Sequence, residues 1–153
     1  MNRRSFLAPV ILLPLLTFGC AAPPPPPPEL NLAITAGADQ NPDAANHASP
    51  VKIFIYQLAS GAKFERADVF ALTERDKATL GEDMLASEAI VVAPGEARAV
   101  KKQLKAGTQV LGVVVLFRDI DHATWRQMAK VAVSGTTALK LTTKGITATL
   151  APG

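Results

Sequence analysis

The groups in this 153-residue chain whose types suit nucleophilic, acid–base or metal chemistry are few. They are the thiol of Cys20, the imidazoles of His47 and His122, and the carboxylate pairs Asp119/Asp121 and Glu82/Asp83. Acyl or glycosyl transfer needs a nucleophile beside a base, or two carboxylates set across a cleft. Neither histidine has a serine nucleophile in its local sequence, so each reads as a surface or structural residue. The run Asp119-Ile120-Asp121-His122 lacks the further oxygen ligands and the glycine of a calcium loop, which leaves its aspartates as turn and capping residues. Glu82-Asp83 reads as a solvated pair, and no glycine-rich phosphate loop occurs. These patterns point away from an enzyme and imply no cofactor, no metal and no small-molecule substrate.

Cys20 is the exception, because its place in the chain is unusual. It is the only cysteine, so no disulfide within the chain is open to it. Arg3 and Arg4 precede an apolar stretch from Phe6 to Phe18, Gly19 is small, and Pro23 to Pro28 follow. That order is a secretory signal over residues 1–19. Its apolar stretch is well short of the roughly 20 residues a spanning helix needs. A cysteine directly after the cut resembles a bacterial lipobox, although Thr17 stands where that motif usually has leucine and Leu16 lies one residue further back. The resemblance implies lipidation at Cys20. Each buried methylene contributes about 0.8 kcal/mol, so one acyl chain holds marginally and several hold firmly. The alternative is an ordinary signal peptide with an incidental cysteine. Ala21, in place of an aspartate after the cysteine, points to the outer membrane. Arg3-Arg4 suits either general or twin-arginine export, and both lead to the same compartment. Residues 20–28 then form the lipidated cysteine and a proline stalk, roughly 19 Å long in polyproline II, which would hold the body clear of the lipid headgroups.

Without residues 1–19, 134 residues remain, enough for one domain with a real core. The formal charge of +3 includes Arg3 and Arg4, so the remainder carries fourteen basic residues against thirteen acidic ones. Lys101, Lys102 and Lys105 form the one tight basic cluster, and without interleaved aromatics they read as a strand end and turn. Nucleic acid is not an expected partner.

The elements that would position any site read mostly as strands. Leu30, Leu32 and Ile34 alternate with polar or small residues. Val51 to Leu58 is rich in β-branched and aromatic residues, and Val110 to Phe117 is apolar on both faces, as a central strand would be. Pro94-Gly95 between two extended runs suits a type II turn and hence a hairpin, and Gly145 marks a reversal before Ile146, Ala148 and Leu150. A helical insert is expected at about 67–84, with Asp68 as N-cap, Gly81 after the last turn, and Phe70 and Leu72 packing it down. One helical turn is expected within Asp119 to Met128. The whole predicts a mainly β, antiparallel two-sheet β-sandwich over residues 29–153, with Leu32, Ile34, Ile53, Ile55, Val113, Val115 and Phe117 in its core. Between the first two strands, Gly37 to Ser49 shows no periodicity. Loops of this length in compact domains are usually functional or disordered, and its turn formers favour an ordered, protruding loop that buries no apolar surface.

In order and spacing, these features resemble the TssJ family, outer-membrane lipoproteins of the bacterial type VI secretion system. The resemblance rests on Asn41-Pro42-Asp43, Ser49-Pro50 and Tyr56-Gln57-Leu58. It continues through Phe64, Asp68, Phe70, Leu72, Asp76, Leu80, Gly81 and Asp83, then Pro94-Gly95, Phe117-Arg118 and Trp125. Asn46-His47-Ala48 stands where the family often has Gly-Arg-Pro. The resemblance implies a transthyretin-like sandwich and a structural role in the membrane complex. The protein would dock the periplasmic domain of the inner-membrane protein TssM, with TssL completing the complex and the acyl anchor seated in outer-membrane lipid. The implied docking element is the first inter-strand loop, with Asn41 and Asp43 shaping it and Pro42 limiting its freedom. Asn46 and His47 would present polar edges to the partner. The competing reading is an unrelated periplasmic lipoprotein module that binds a carbohydrate or inhibits an enzyme.

Overall fold

The computed structural model describes residues 23–153; the signal peptide expected at 1–19 and the lipidation expected at Cys20 lie outside the described residues. Eight strands form: β1 (Pro28–Ala36), β2 (Val51–Leu58), β3 (Met84–Val92), β4 (Ala97–Gln103), β5 (Val110–Leu116), β6 (Arg126–Lys130), β7 (Gly135–Lys144) and β8 (Thr147–Pro152). They make two four-stranded layers, β4-β1-β7-β8 and β3-β2-β5-β6. Strand pairing is antiparallel throughout except between β1 and β7, which run parallel with Leu32 opposite Leu139. The two-sheet sandwich is therefore as expected. Its one parallel pair was not legible, because alternation gives the same apolar face in either direction.

The alternating apolar residues of both sheets meet between the layers. Leu30, Leu32 and Ile34 from β1 pack there with Ile53, Ile55, Val113, Val115, Leu141 and Phe117, and all seven residues expected in the core are buried. β5 is central and apolar on both faces, and its second face is covered by the insert. Tyr56, Leu58 and Val114 from the sheet pack there against Phe64, Val69, Leu72 and Leu80. Gly112 makes the close approach possible, since a Cβ at that position would lie 2.8 Å from Phe64 Cζ. The Tyr56 hydroxyl donates to the Leu72 carbonyl at 2.7 Å, and burial pushes its phenol well above the usual range.

Several local expectations are corrected. The insert is three short helices, α1 (Ala62–Arg66), α2 (Val69–Glu74) and α3 (Asp76–Leu80), followed by a 3-10 turn at Gly81–Asp83. It starts before residue 67 because a five-residue helix is too short to show a period. Asp68 does cap α2, accepting from the Ala71 amide at 2.8 Å. Phe70, however, is 59% exposed; Val69, Ala71 and Leu72 take the buried face of α2, which turns Phe70 away. Asp83 is paired with Lys63 at 3.2 Å and is not merely solvated. Pro94-Gly95 forms the expected turn, with Gly95 at φ +74° and the Glu96 amide donating to the Ala93 carbonyl at 3.1 Å. It makes no hairpin, because β3 and β4 belong to different layers and the turn carries the chain across the sandwich edge. The helical turn expected within 119–128 is absent. Arg126–Lys130 is strand β6, a polar segment recruited by the open edge of β5, with Val113 opposite Gln127.

Candidate functional site

The strand directions gather the loops at two ends. One end holds residues 37–50, 93–96, 117–125 and 145–146; the other holds 104–109, 131–134 and the residues leading into β1. The long first loop lies at the former end, and two buried amides root it there.

Gln40 is fully buried and joins the layers, its Nε2 donating to the Val92 carbonyl on β3 at 2.9 Å. Its Oε1 accepts from the Thr143 hydroxyl on β7 at 2.6 Å. Asn41, 3% exposed, joins the loops. Its Nδ2 donates to the Pro50 carbonyl at 2.9 Å, its Oδ1 accepts from the Arg118 amide at 2.7 Å, and its own amide donates to the Gly145 carbonyl at 2.7 Å. The backbone there is left-handed, φ +51°, which asparagine tolerates better than most residues.

Beyond the root, the tip is stiffened by Asp43. Its Oδ1 accepts from the amides of Ala45 and His47 at 2.9 and 2.8 Å. The His47 amide, with further help from that of Ala45, holds its carboxyl below the usual carboxylate range. The His47 ring lies 3.3 Å from Asp43 Oδ2 with its side chain 79% exposed, and Asn46, at φ +66°, is also exposed. A shallow groove of about 650 Å³ runs beside the tip, lined by Pro42, Asp43, Ala44, Arg118, Asp119, Gly145 and Ile146. At its far side His122 Nδ1 meets Asp119 Oδ1 at 2.7 Å, and this contact raises the imidazole above its usual pKa.

The five residues expected to meet a partner thus divide by depth. Asn46 and His47 face solvent, Pro42 and Asp43 line the groove, and Asn41 points inward as a positioning residue. Gln40, which roots the loop, and Arg118, Asp119 and Ile146, which line the groove, were missed. Gln40 reaches partners 52 and 103 residues away, which no local pattern can reveal. The loop also buries a polar root that knits both layers, Gln40 and Asn41.

Among the described residues no three His, Cys, Asp or Glu side chains converge as metal ligands, and what the loop end offers is shape, amide edges and charge. Fold and loop end together describe a β-sandwich with a rigidly rooted surface loop. The T6SS-SciN family model, described as Type VI secretion lipoprotein, VasD, EvfM, TssJ, matches residues 28–145, and this chain belongs to that family of structural secretion-system subunits, which are not enzymes. It is 34% identical to the T6SS lipoprotein TssJ1 from Pseudomonas aeruginosa, over 84% of this chain and 98% of that one, with a TM-score of 0.81. A chain of a type VI membrane complex is 31% identical, covering 81% and 98%, with a TM-score of 0.73. A chain in the structure described as the T6SS protein TssM C-terminal domain (869-1107) from EAEC is 29% identical, covering 80% and 99%, at 0.68. No curated protein sequence matches the chain significantly.

Proposed function

We propose that this lipoprotein ties the envelope-spanning secretion complex to the outer membrane. The acyl anchor at Cys20 is seated in lipid, and the Gly37–Ser49 end of the sandwich docks the periplasmic domain of TssM, with TssL completing the complex. The observation that carries the reading is the contrast within the first loop. Gln40 and Asn41 are locked into both layers and the neighbouring loops, while Asn46 and His47 are held out to solvent by Asp43. A preorganised tip loses little entropy on docking, which is the main cost a binding loop must offset. That similar folds occur in a type VI membrane complex and in a structure named for TssM supports the choice of partner.

Two experiments test it. Replacing Ala44–His47 by a Gly/Asn turn, with Gln40 and Asn41 kept, is expected to leave the melting temperature within a few degrees of the parent. Capture of the TssM periplasmic domain should fall by two orders of magnitude or more, on the order of 3 kcal/mol, as when a hot-spot segment is lost. Native affinity after that exchange would place docking elsewhere. For the anchor, Cys20→Ser is expected to move the protein from the membrane to the soluble periplasmic fraction; persistence in the outer membrane would remove acylation from the account.

A further inference from the structure

The end of the sandwich opposite the docking loop has its own character. Chain direction brings the entry to β1, the 104–109 loop and the 131–134 loop together there. The proline run does not stand free of this end. The Leu104 amide donates to the Pro28 carbonyl at 2.8 Å, and the Gly135 amide makes a longer bond of 3.4 Å to that of Pro26. Pro28 is itself the first residue of β1. Half of the expected stalk is therefore laid against the body, leaving Pro23–Pro25 as spacer, about 9 Å in polyproline II. With Ala21 and Ala22 added, the five residues between Cys20 and the body extend to at most roughly 18 Å, about two Debye lengths at physiological salt, so this end stays within reach of charge on a lipid surface.

The loops here present the groups such a surface favours. Val133 is 77% exposed, the most exposed of the large hydrophobic residues among those described. Lys130, three residues before it, and Lys105, on the other loop of this end, are exposed, and Lys105 sits on a stiff turn. Its amide donates to Gln57 Oε1 at 2.7 Å and its carbonyl accepts from the Thr108 hydroxyl at 2.7 Å. The Val131 amide ties the two loops together through the Gln109 carbonyl at 3.0 Å. Segments 104–109 and 131–134 contain no carboxylate, whereas the docking-end loops carry Asp39, Asp43, Glu96, Asp119 and Asp121 against Arg118. The carboxylates on elements reaching the lysine end are Glu29, Glu65 and Glu82, with Asp83 already paired to Lys63 and Glu88 to Lys102.

We propose that this end face rests on an anionic lipid surface, with Val133 seated among the headgroups and Lys105 and Lys130 against their phosphates. The proposal rests on acylation at Cys20, which supplies the tether. The face then fixes the orientation of the sandwich, so that the acidic docking loops point away from the membrane. Each lysine held near an anionic surface contributes about five-fold in partitioning.

The test uses the full-length acylated protein in vesicles of phosphatidylethanolamine and phosphatidylglycerol carrying a headgroup-located quencher. A fluorophore is placed at Val133→Cys or, as control, at Ala44→Cys. The label at 133 is expected to be quenched about five-fold or more strongly than that at 44. The difference should shrink several-fold in vesicles lacking phosphatidylglycerol and in the Lys105→Glu/Lys130→Glu variant. Flotation with the vesicles reads the anchor separately. Floating protein with equal quenching at both positions overturns the face and leaves acylation standing, and protein that fails to float overturns both. Quenching indifferent to lipid charge and to the lysine reversals overturns the proposal as well.

Discussion

Replacing Asn41 with alanine is expected to destabilise the protein by about 2–4 kcal/mol and to abolish capture of the TssM domain even where the chain still folds. The estimate combines two costs. Removing the carboxamide strands the Arg118 amide and the Pro50 carbonyl, which the side chain now satisfies at 2.7 and 2.9 Å. Stranded buried polar groups cost about 1–3 kcal/mol each at full burial, and these are part-buried. Alanine must also hold the left-handed backbone at φ +51°, for about another 1–2 kcal/mol. Function suffers more than stability because the Asn41 side chain joins the first loop to the 117–125 loop, while its backbone amide, kept in alanine, holds the β7–β8 turn. Those three segments line one groove. Asn41→Asp separates the contributions: it keeps the acceptor for Arg118 while setting a carboxylate oxygen against the Pro50 carbonyl. Denaturant titration beside a pull-down checks both variants. Parent-like stability and binding in Asn41→Ala would remove the residue from its positioning role.

The second large effect is expected at Phe64. Phe64→Ala should cost about 3–5 kcal/mol, because the ring is fully buried and tilts against Tyr56 with centroids 5.4 Å apart. It also fills the hollow left by Gly112. The loss should appear first as opening of the insert, since the cluster beneath it is separate from the core between the layers and can yield locally. Gly112→Ala alone should cost about 1–3 kcal/mol, since the new methyl meets the ring at under 3 Å. In the double variant that methyl enters space the ring has vacated. The combined loss should fall short of the sum by about 1 kcal/mol or more, in the range of couplings between contacting residues. Strict additivity in urea denaturation would contradict this packing.

The outcome at individual residues shows where local pattern suffices. The alternation of Leu30, Leu32 and Ile34 and the doubly apolar run Val110 to Leu116 specified which faces are buried, because a period of two leaves one choice of face. Asp68 was legible as a cap because capping is a contact three residues long. The Pro94-Gly95 turn was legible too, yet its consequence was not, since a turn sets a local reversal and the partner of each flanking strand depends on edges already occupied. Arg126–Lys130 carries little apolar signal and becomes a strand only because β5 offers it an edge.

The functional end divides in the same way. The sequence by itself led to the expectation of a secretory leader ending at one cysteine, and it determined a β-sandwich body and a long first loop whose Asn41, Pro42, Asp43, Asn46 and His47 could shape a surface. Tertiary structure decided which of these face outward. Gln40 and Asn41 became the root, and Arg118, Asp119 and Ile146 joined the groove, because contacts spanning 52 to 103 residues bring them together. The closure of two sheets around one core creates those contacts, and no neighbouring residue in the chain encodes them.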